Sequence, residues 1–142
     1  MSEVKVSETV AAPAVRVWEV LGDFGGVLKW GGKMLQSCTV EGSGVGAVRR
    51  IGLPGGGEIA ERCEAYDPAG RSLSYSIVGK SPIPIRGYFS TVKVIEQGPN
   101  ACRVDWRGTF EPDGVPEEQA QAMVLAIYTG GIAGVRKLLG VA

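Results

Sequence analysis

The stretch AVRRIGLPGGGEIAERCEAY, residues 47–66, decides the fold of this chain. Apolar and polar residues alternate on both sides of the turn 54–57, PGGG, and a period of two residues is typical of a half-buried strand. The stretch therefore predicts a β-hairpin with one inner face. The inner positions are Ala47, Arg49, Ile51 and Leu53 on the first strand, and Ile59, Glu61, Cys63 and Ala65 on the second.

Arg49 and Glu61 are the two charged residues on this apolar face. A hairpin centred on Gly55 places them directly opposite each other, and a register error of one residue would put them on different faces. In a solid core such a pair stabilises little, because desolvation can exceed the Coulomb attraction. In a cavity, Arg49 can bind a ligand oxygen through bidentate hydrogen bonds, and Glu61 can accept a proton. The other interpretation is a structural salt bridge at the mouth of the sheet.

The rest of the chain extends this hairpin into a larger sheet. A helical pattern opens at Pro13 and ends near Gly22, and a second short helix is predicted within 23–30. A long helix is predicted after Pro116, with acids in its first turn and cations in its last. The predicted order is one strand, two short helices, six strands and a long C-terminal helix. The strands are predicted near residues 4–6, 34–41, 47–53, 58–66, 71–79, 86–97 and 102–111.

This order predicts an α+β fold. Consecutive strands joined by short turns form an antiparallel sheet, and its apolar face needs the long helix as a cover. Gly130, Gly131 and Gly134 lie inside that helix, where each costs about 1 kcal/mol relative to alanine. They either leave space between helix and sheet or permit close packing or a kink. The segment 81–84, SPIP, is either a gate beside a cavity or a simple loop.

Length and composition limit the classes of function. The 142 residues fit one domain, 1–142, and the net charge of zero argues against a nucleic-acid partner. No apolar run approaches the ~18 residues of a membrane span, and the first residues do not resemble a secretory signal, so we expect a cytoplasmic protein without membrane insertion. It is expected to be a monomer or a homodimer.

The absence of histidine limits the chemistry further. It excludes Ser-His-Asp and Cys-His catalysis and histidine metal sites. The cysteines, Cys38, Cys63 and Cys102, are far apart and include no CxxC pair, so we expect neither a metal nor a disulfide framework. Cys63 shares the inner face of the sheet, but no neighbour predicted from the sequence would activate it as a nucleophile. No cofactor is expected, and proton transfer falls to other side chains.

The chain resembles the START-like, or SRPBCC, superfamily with the helix-grip fold. It is most similar to the polyketide cyclase/dehydrase branch, which includes lachrymatory-factor synthase. The resemblance covers nearly the whole chain and implies a seven-stranded antiparallel sheet wrapped around the long helix, with a hydrophobic cavity between them. Its carriers are VWEVLGDF at 17–24 with Trp30, GVGAVR at 44–49, ER at 61–62 with YD at 66–67, YSI at 75–77, PIP at 82–84 through Tyr88, and VDW at 104–106 with FEP at 110–112.

The resemblance also implies an activity. In lachrymatory-factor synthase and its relatives, an arginine and a glutamate in the cavity move a proton, and these roles carry over to Arg49 and Glu61. We expect a cofactor-independent enzyme that cyclises, isomerises or dehydrates a small apolar carbonyl compound. The alternative is a non-catalytic protein that binds or transports a hydrophobic metabolite or lipid. The predicted ligand-binding residues are Trp30, Tyr75, Tyr88, Trp106, Met123, Ile127 and Tyr128.

Overall fold

A computed structural model describes residues 1–142, and its element order confirms the predicted α+β arrangement. A 3-10 turn, Gly32–Met34, follows the second short helix. The other elements are β1 Ser2–Val10, α1 Ala14–Leu21, α2 Leu28–Gly31, β2 Ser37–Glu41, β3 Val48–Gly52, β4 Glu58–Asp67, β5 Ser72–Val78, β6 Ile85–Glu96, β7 Cys102–Pro112 and α3 Glu117–Leu139.

The seven strands form one antiparallel sheet in the order β1-β7-β6-β5-β4-β3-β2. Strands β2 to β7 pair with their neighbours in the chain, and β1 joins the sheet beside β7. The inner face of the sheet packs against α3, as predicted for a helix-grip fold. Residues that α3 buries in this core include Ala120, Val124, Tyr128, Ile132 and Val135.

The hairpin between β3 and β4 has the predicted register. Arg49 pairs with Glu61 and Ile51 pairs with Ile59, so the hairpin is centred on Gly55. The glycines of its turn are needed because Gly55, Gly56 and Gly57 all have positive φ values, of 84°, 102° and 94°. Residues with a Cβ rarely adopt that conformation.

Two details of the strands differ from the prediction. Ala65 was expected on the inner face, but it is exposed because a β-bulge lies between Cys63 and Ala65. A bulge inserts one extra residue, which reverses the alternation of faces beyond it. Strand β2 begins at Ser37 rather than near Met34, because Met34 ends the 3-10 turn.

The glycines of α3 have both of the roles that the sequence left open, namely close packing and space between helix and sheet. A Cβ on Gly131 would lie 3.0 Å from the rings of Trp30 and Trp106, and a Cβ on Gly134 would overlap the backbone carbonyl of Trp30. These two glycines therefore let α2 and the sheet approach α3 closely. Gly130 has open space at its Cβ position and borders the cavity described below.

The charged residues at the two ends of helix α3 lie where the sequence predicts. Glu117 and Glu118 lie in the first turn, Arg136 and Lys137 lie in the last, and Gly140 ends the helix in the left-handed conformation. By length and apolar composition alone, α3 is the one helix that could cross a membrane, and core helices of soluble proteins share these properties.

Candidate functional site

A cavity of about 250 Å³ lies between α3 and the inner face of the sheet. Strands β3 to β7 provide the side toward the sheet, and α2 and α3 provide the opposite side. Most of the lining residues are hydrophobic, so the cavity favours an apolar ligand. The apolar residues that surround the charged pair include Ile51, Ile59, Ile77, Trp106 and Ile127.

Arg49 and Glu61 face this cavity as a buried ion pair. They are 4% and 8% exposed, respectively. The guanidinium donates a hydrogen bond from Nε to the carboxylate oxygen Oε1 at 2.9 Å, and Nη2 lies 2.8 Å from the same oxygen in an ion-pair contact. The second oxygen, Oε2, accepts no hydrogen bond from the protein. The carboxylate therefore keeps one oxygen for a ligand or a proton.

Arg49 is held by neighbours from three parts of the chain. Nη1 donates to the backbone carbonyl of Phe24 at 2.9 Å. The Phe24 and Tyr75 rings lie 4.2 and 4.8 Å from the guanidinium carbon, within the range of cation–π attraction. These contacts come from the α1–α2 loop and from β5, and the ion pair adds β4. The charge is therefore pre-positioned before any ligand arrives.

A cluster of buried hydroxyl groups lies beside the ion pair. The Trp106 indole N–H points to Tyr75 Oη at 3.1 Å and to Ser90 Oγ at 3.2 Å. Tyr128 donates to Ser90 at 2.9 Å, so Tyr88 donates the 2.6 Å hydrogen bond that joins Tyr88 to Tyr128. Tyr75 Oη accepts from Trp106, and the hydroxyls of Ser90 and Tyr88 also lie within hydrogen-bonding reach of it.

Burial raises the pKa of the three tyrosines in this cluster, Tyr75, Tyr88 and Tyr128, because desolvation disfavours the phenolate. Near neutral pH all three are therefore protonated donors. Tyr75 and Tyr88 line the cavity as neutral phenols on the same side as the ion pair. Because Tyr88 donates its proton to Tyr128, Tyr75 is the one left to donate to a ligand. Such donors suit a ligand oxygen that gains negative charge.

The cavity brings together seven of the nine residues predicted for the site. Met123 and Tyr128 do not line it. Tyr128 lies behind the lining, stacked on Trp106 with ring centroids 5.0 Å apart, and Met123 is half-buried elsewhere on α3. The seven that line it are Trp30, Arg49, Glu61, Tyr75, Tyr88, Trp106 and Ile127.

Sequence reasoning missed several residues of the site. Ile51, Ile59 and Ile77 were predicted on the inner face, and this alternation could have identified them as lining residues. Ile83 also lines the cavity, so the loop 81–84 contributes one apolar side chain to it. Phe24 carried no comparable signal, because its contact with Arg49 joins residues that are 25 positions apart.

The chain is similar to a known family and to a plant protein along most of its length. Residues 1–140 match the family described as "Polyketide cyclase / dehydrase and lipid transport". The chain is 31% identical over 115 residues to MLP-like protein 423 of Arabidopsis thaliana, an alignment that covers 75% of this chain and 74% of the relative.

Two solved structures resemble the fold along nearly its full length. The protein XoxI from Bacillus cereus is 30% identical, with a TM-score of 0.88 and coverage of 96% of this chain and 94% of that one. The Zhui aromatase/cyclase from Streptomyces sp. R1128 is 21% identical, with a TM-score of 0.76 and coverage of 98% and 92%. The second likeness shows the fold alone.

Proposed function

We propose that this chain, which belongs to the polyketide cyclase/dehydrase and lipid transport family, is an enzyme that transfers a proton on a compact apolar carbonyl compound. The reaction is a cyclisation, isomerisation or dehydration. One observation carries the proposal: Glu61 Oε2 has no protein partner and borders an apolar cavity, while Oε1 is held by Arg49. A positioned carboxylate of this kind is suited to general acid–base work.

The proposed step begins with Glu61 Oε2 taking a proton from a carbon next to the substrate carbonyl. The C–H bond breaks, an O–H bond forms on Glu61, and the electron pair moves onto the carbonyl oxygen as an enolate. The Tyr75 hydroxyl donates to that oxygen, and the positive charge of Arg49 stabilises the developing anion. Glu61 then returns the proton, either to another carbon in an isomerisation or to a departing hydroxyl that leaves as water.

The size of the cavity supports a compact substrate. Its 250 Å³ equals roughly eight water molecules at about 30 Å³ each. Pockets for drug-sized ligands have volumes of about 300–1,000 Å³. The cavity therefore suits a molecule of one ring or two small fused rings, with its apolar part against Trp30, Trp106 and Ile127.

A carrier for a hydrophobic metabolite is the second candidate. It is supported by Arg49, whose Nε and Nη1 atoms already donate to protein oxygens and whose Nη2 lies 2.8 Å from Glu61 Oε1. An arginine engaged in this way has fewer donors left for a reacting group. A carrier would return its ligand chemically unaltered.

The experiment that separates the two candidates measures proton transfer directly. Cyclohexanone, 1-indanone and 2-tetralone are incubated with the protein in D2O, and NMR follows deuterium incorporation next to the carbonyl. We expect exchange above the buffer rate, and Glu61→Gln should slow it about 100-fold or more, because general acid–base catalysis contributes that much. Ketone affinity should stay nearly unchanged.

The matched control is Glu58→Gln, which alters a 54% exposed carboxylate on the same strand. This variant should exchange at the wild-type rate. Ketones that bind without protein-dependent exchange would overturn the enzyme proposal and support the carrier. Equal exchange rates in the wild type and Glu61→Gln would exclude Glu61 as the proton acceptor.

A further inference from the structure

A second hollow, here called the cleft, lies beyond the ion pair. It has a volume of about 530 Å³ and is more open and more polar than the cavity. Trp18 and Tyr66 stack on each other at its edge, with ring centroids 5.9 Å apart. The turn between β2 and β3 forms another side, through Gly42, Ser43 and Gly44.

The cleft and the cavity share the same inner face of β3 and β4. Along β3 and its N-terminal flank, Ile51 and Arg49 line the cavity and Ala47 lines the cleft. Across the hairpin, Glu61 lines the cavity and Cys63 lines the cleft. Residues two positions apart on a strand are neighbours on one face. The two hollows therefore meet end to end at the ion pair.

Phe24 lies at this meeting point. Its ring is 4.2 Å from the Arg49 guanidinium, its carbonyl accepts from Nη1, and it lines the cleft. It belongs to the loop between α1 and α2, which has no regular structure from Asp23 to Val27. A ligand that displaces the Phe24 ring breaks the cation–π contact between Phe24 and Arg49 and connects the two hollows.

We propose that the cleft is a second ligand subsite, which receives the polar end of an amphipathic substrate whose apolar end occupies the cavity. The carboxylates of Glu19 and Asp23 line the cleft, and no lysine or arginine does. Asp23 pairs with Lys29 at 3.6 Å, so Glu19 is the lining carboxylate that is not in an ion pair. The polar end is therefore cationic or neutral, for example an amine or a hydroxyl, and not an acid. The inference rests on the proposed function in taking the cavity as the substrate site, but it is tested by binding alone.

The test uses three probes of known chemistry, each measured by isothermal titration calorimetry. Benzylamine fits within the cavity, whereas 6-phenylhexylamine and 6-phenylhexanoate are long enough to pass Phe24. If the polar end of the probe lies in the cleft, 6-phenylhexylamine should bind about threefold to fivefold more tightly than 6-phenylhexanoate, as expected for one solvent-screened ion pair. If the polar end stops at Arg49 instead, 6-phenylhexanoate should bind more tightly, because the guanidinium attracts its carboxylate.

Two variants locate the polar end. Glu19→Gln, on the surface of α1, should bring the amine-to-acid preference toward one, while Glu58→Gln on β4 should leave it unchanged. Phe24→Ala should raise the affinity for 6-phenylhexylamine relative to that for benzylamine severalfold. If this variant does not fold, NMR of the wild type provides the same information, because 6-phenylhexylamine should shift the amide signals of Ser43 and Gly44 and benzylamine should not.

Tighter binding of the acid, or a preference that Glu19→Gln leaves unaltered, would overturn the inference. Binding of benzylamine alone would overturn it as well and would leave the proposed function standing. Failure of all three probes to bind would count against both proposals.

Discussion

Arg49 and Glu61 lie directly opposite each other on β3 and β4, and two nitrogens of the arginine share one oxygen of the glutamate. The pair is buried, so each charge depends on the other for compensation. The same geometry leaves Glu61 Oε2 without a protein partner. Stability and reactivity of the site are therefore coupled through a single carboxylate.

Removal of one partner of this pair should destabilise the fold more than removal of both. Arg49→Met leaves an uncompensated buried carboxylate, which costs about 3–5 kcal/mol of unfolding free energy. The double variant Arg49→Met/Glu61→Leu should recover most of that loss. Urea denaturation at pH 7 measures both. The control Arg50→Met breaks two exposed pairs, with Glu41 and Glu58, and should cost less than about 1 kcal/mol for each. Additive losses in the double variant would contradict the coupling.

Removal of the Tyr75 hydroxyl should lower activity, whereas removal of the Tyr128 hydroxyl should lower stability. Tyr75→Phe keeps the ring beside Arg49 but removes the donor that lines the cavity, so ketone exchange should fall about 100-fold or more. Tyr128→Phe removes hydrogen bonds behind the lining, so it should cost about 1–3 kcal/mol of stability and leave exchange unchanged. Equal exchange rates in the two variants would argue against Tyr75 as the donor.

The glycines of α3 offer a matched pair of substitutions. Gly130→Ala adds a methyl group to open space and should stabilise the protein by up to about 1 kcal/mol through helix propensity. Gly134→Ala should destabilise it, because the new Cβ overlaps the Trp30 carbonyl. Thermal unfolding measures these opposite changes in stability. A stabilising effect of Gly134→Ala would show that α2 is not held against α3.

The buried tyrosines should make the fold sensitive to alkali. Burial raises the pKa of Tyr75, Tyr88 and Tyr128 above the value of about 10 in the unfolded chain. The folded state then holds more protons above that pH, so the stability that is complete below about pH 10 is lost as the pH rises further. Tyrosinate absorbance from these residues should appear only when circular dichroism reports unfolding.

The alkaline prediction has an internal control. Tyr128→Phe removes one of the three shifted groups, so its stability should fall less steeply with pH than that of the wild type. Tyrosinate absorbance from Tyr75, Tyr88 or Tyr128 in a protein with native circular dichroism would show that the cluster is open to water.

The sequence by itself determined the order of the elements and the pairing of Arg49 with Glu61. Both depend on local information, namely the two-residue alternation and a glycine turn whose centre sets the register for its two flanking strands. The proton-transfer roles of these two residues were predicted from the family resemblance and stay a proposal. The β-bulge that exposes Ala65 could not be predicted, because the apolar–polar alternation from Ile59 to Ala65 is the same with or without a bulge.

Only the tertiary structure decided the shape of the site. Helix periodicity assigns Met123, Ile127 and Tyr128 to one broad stripe, but which of them reaches the cavity depends on the rotation of α3 over the sheet. The cavity itself depends on how closely Trp30 approaches Gly131 and Gly134, and its far end depends on Phe24. These contacts join distant segments, and their geometry follows from the packing of the whole core, which no local pattern of residues specifies.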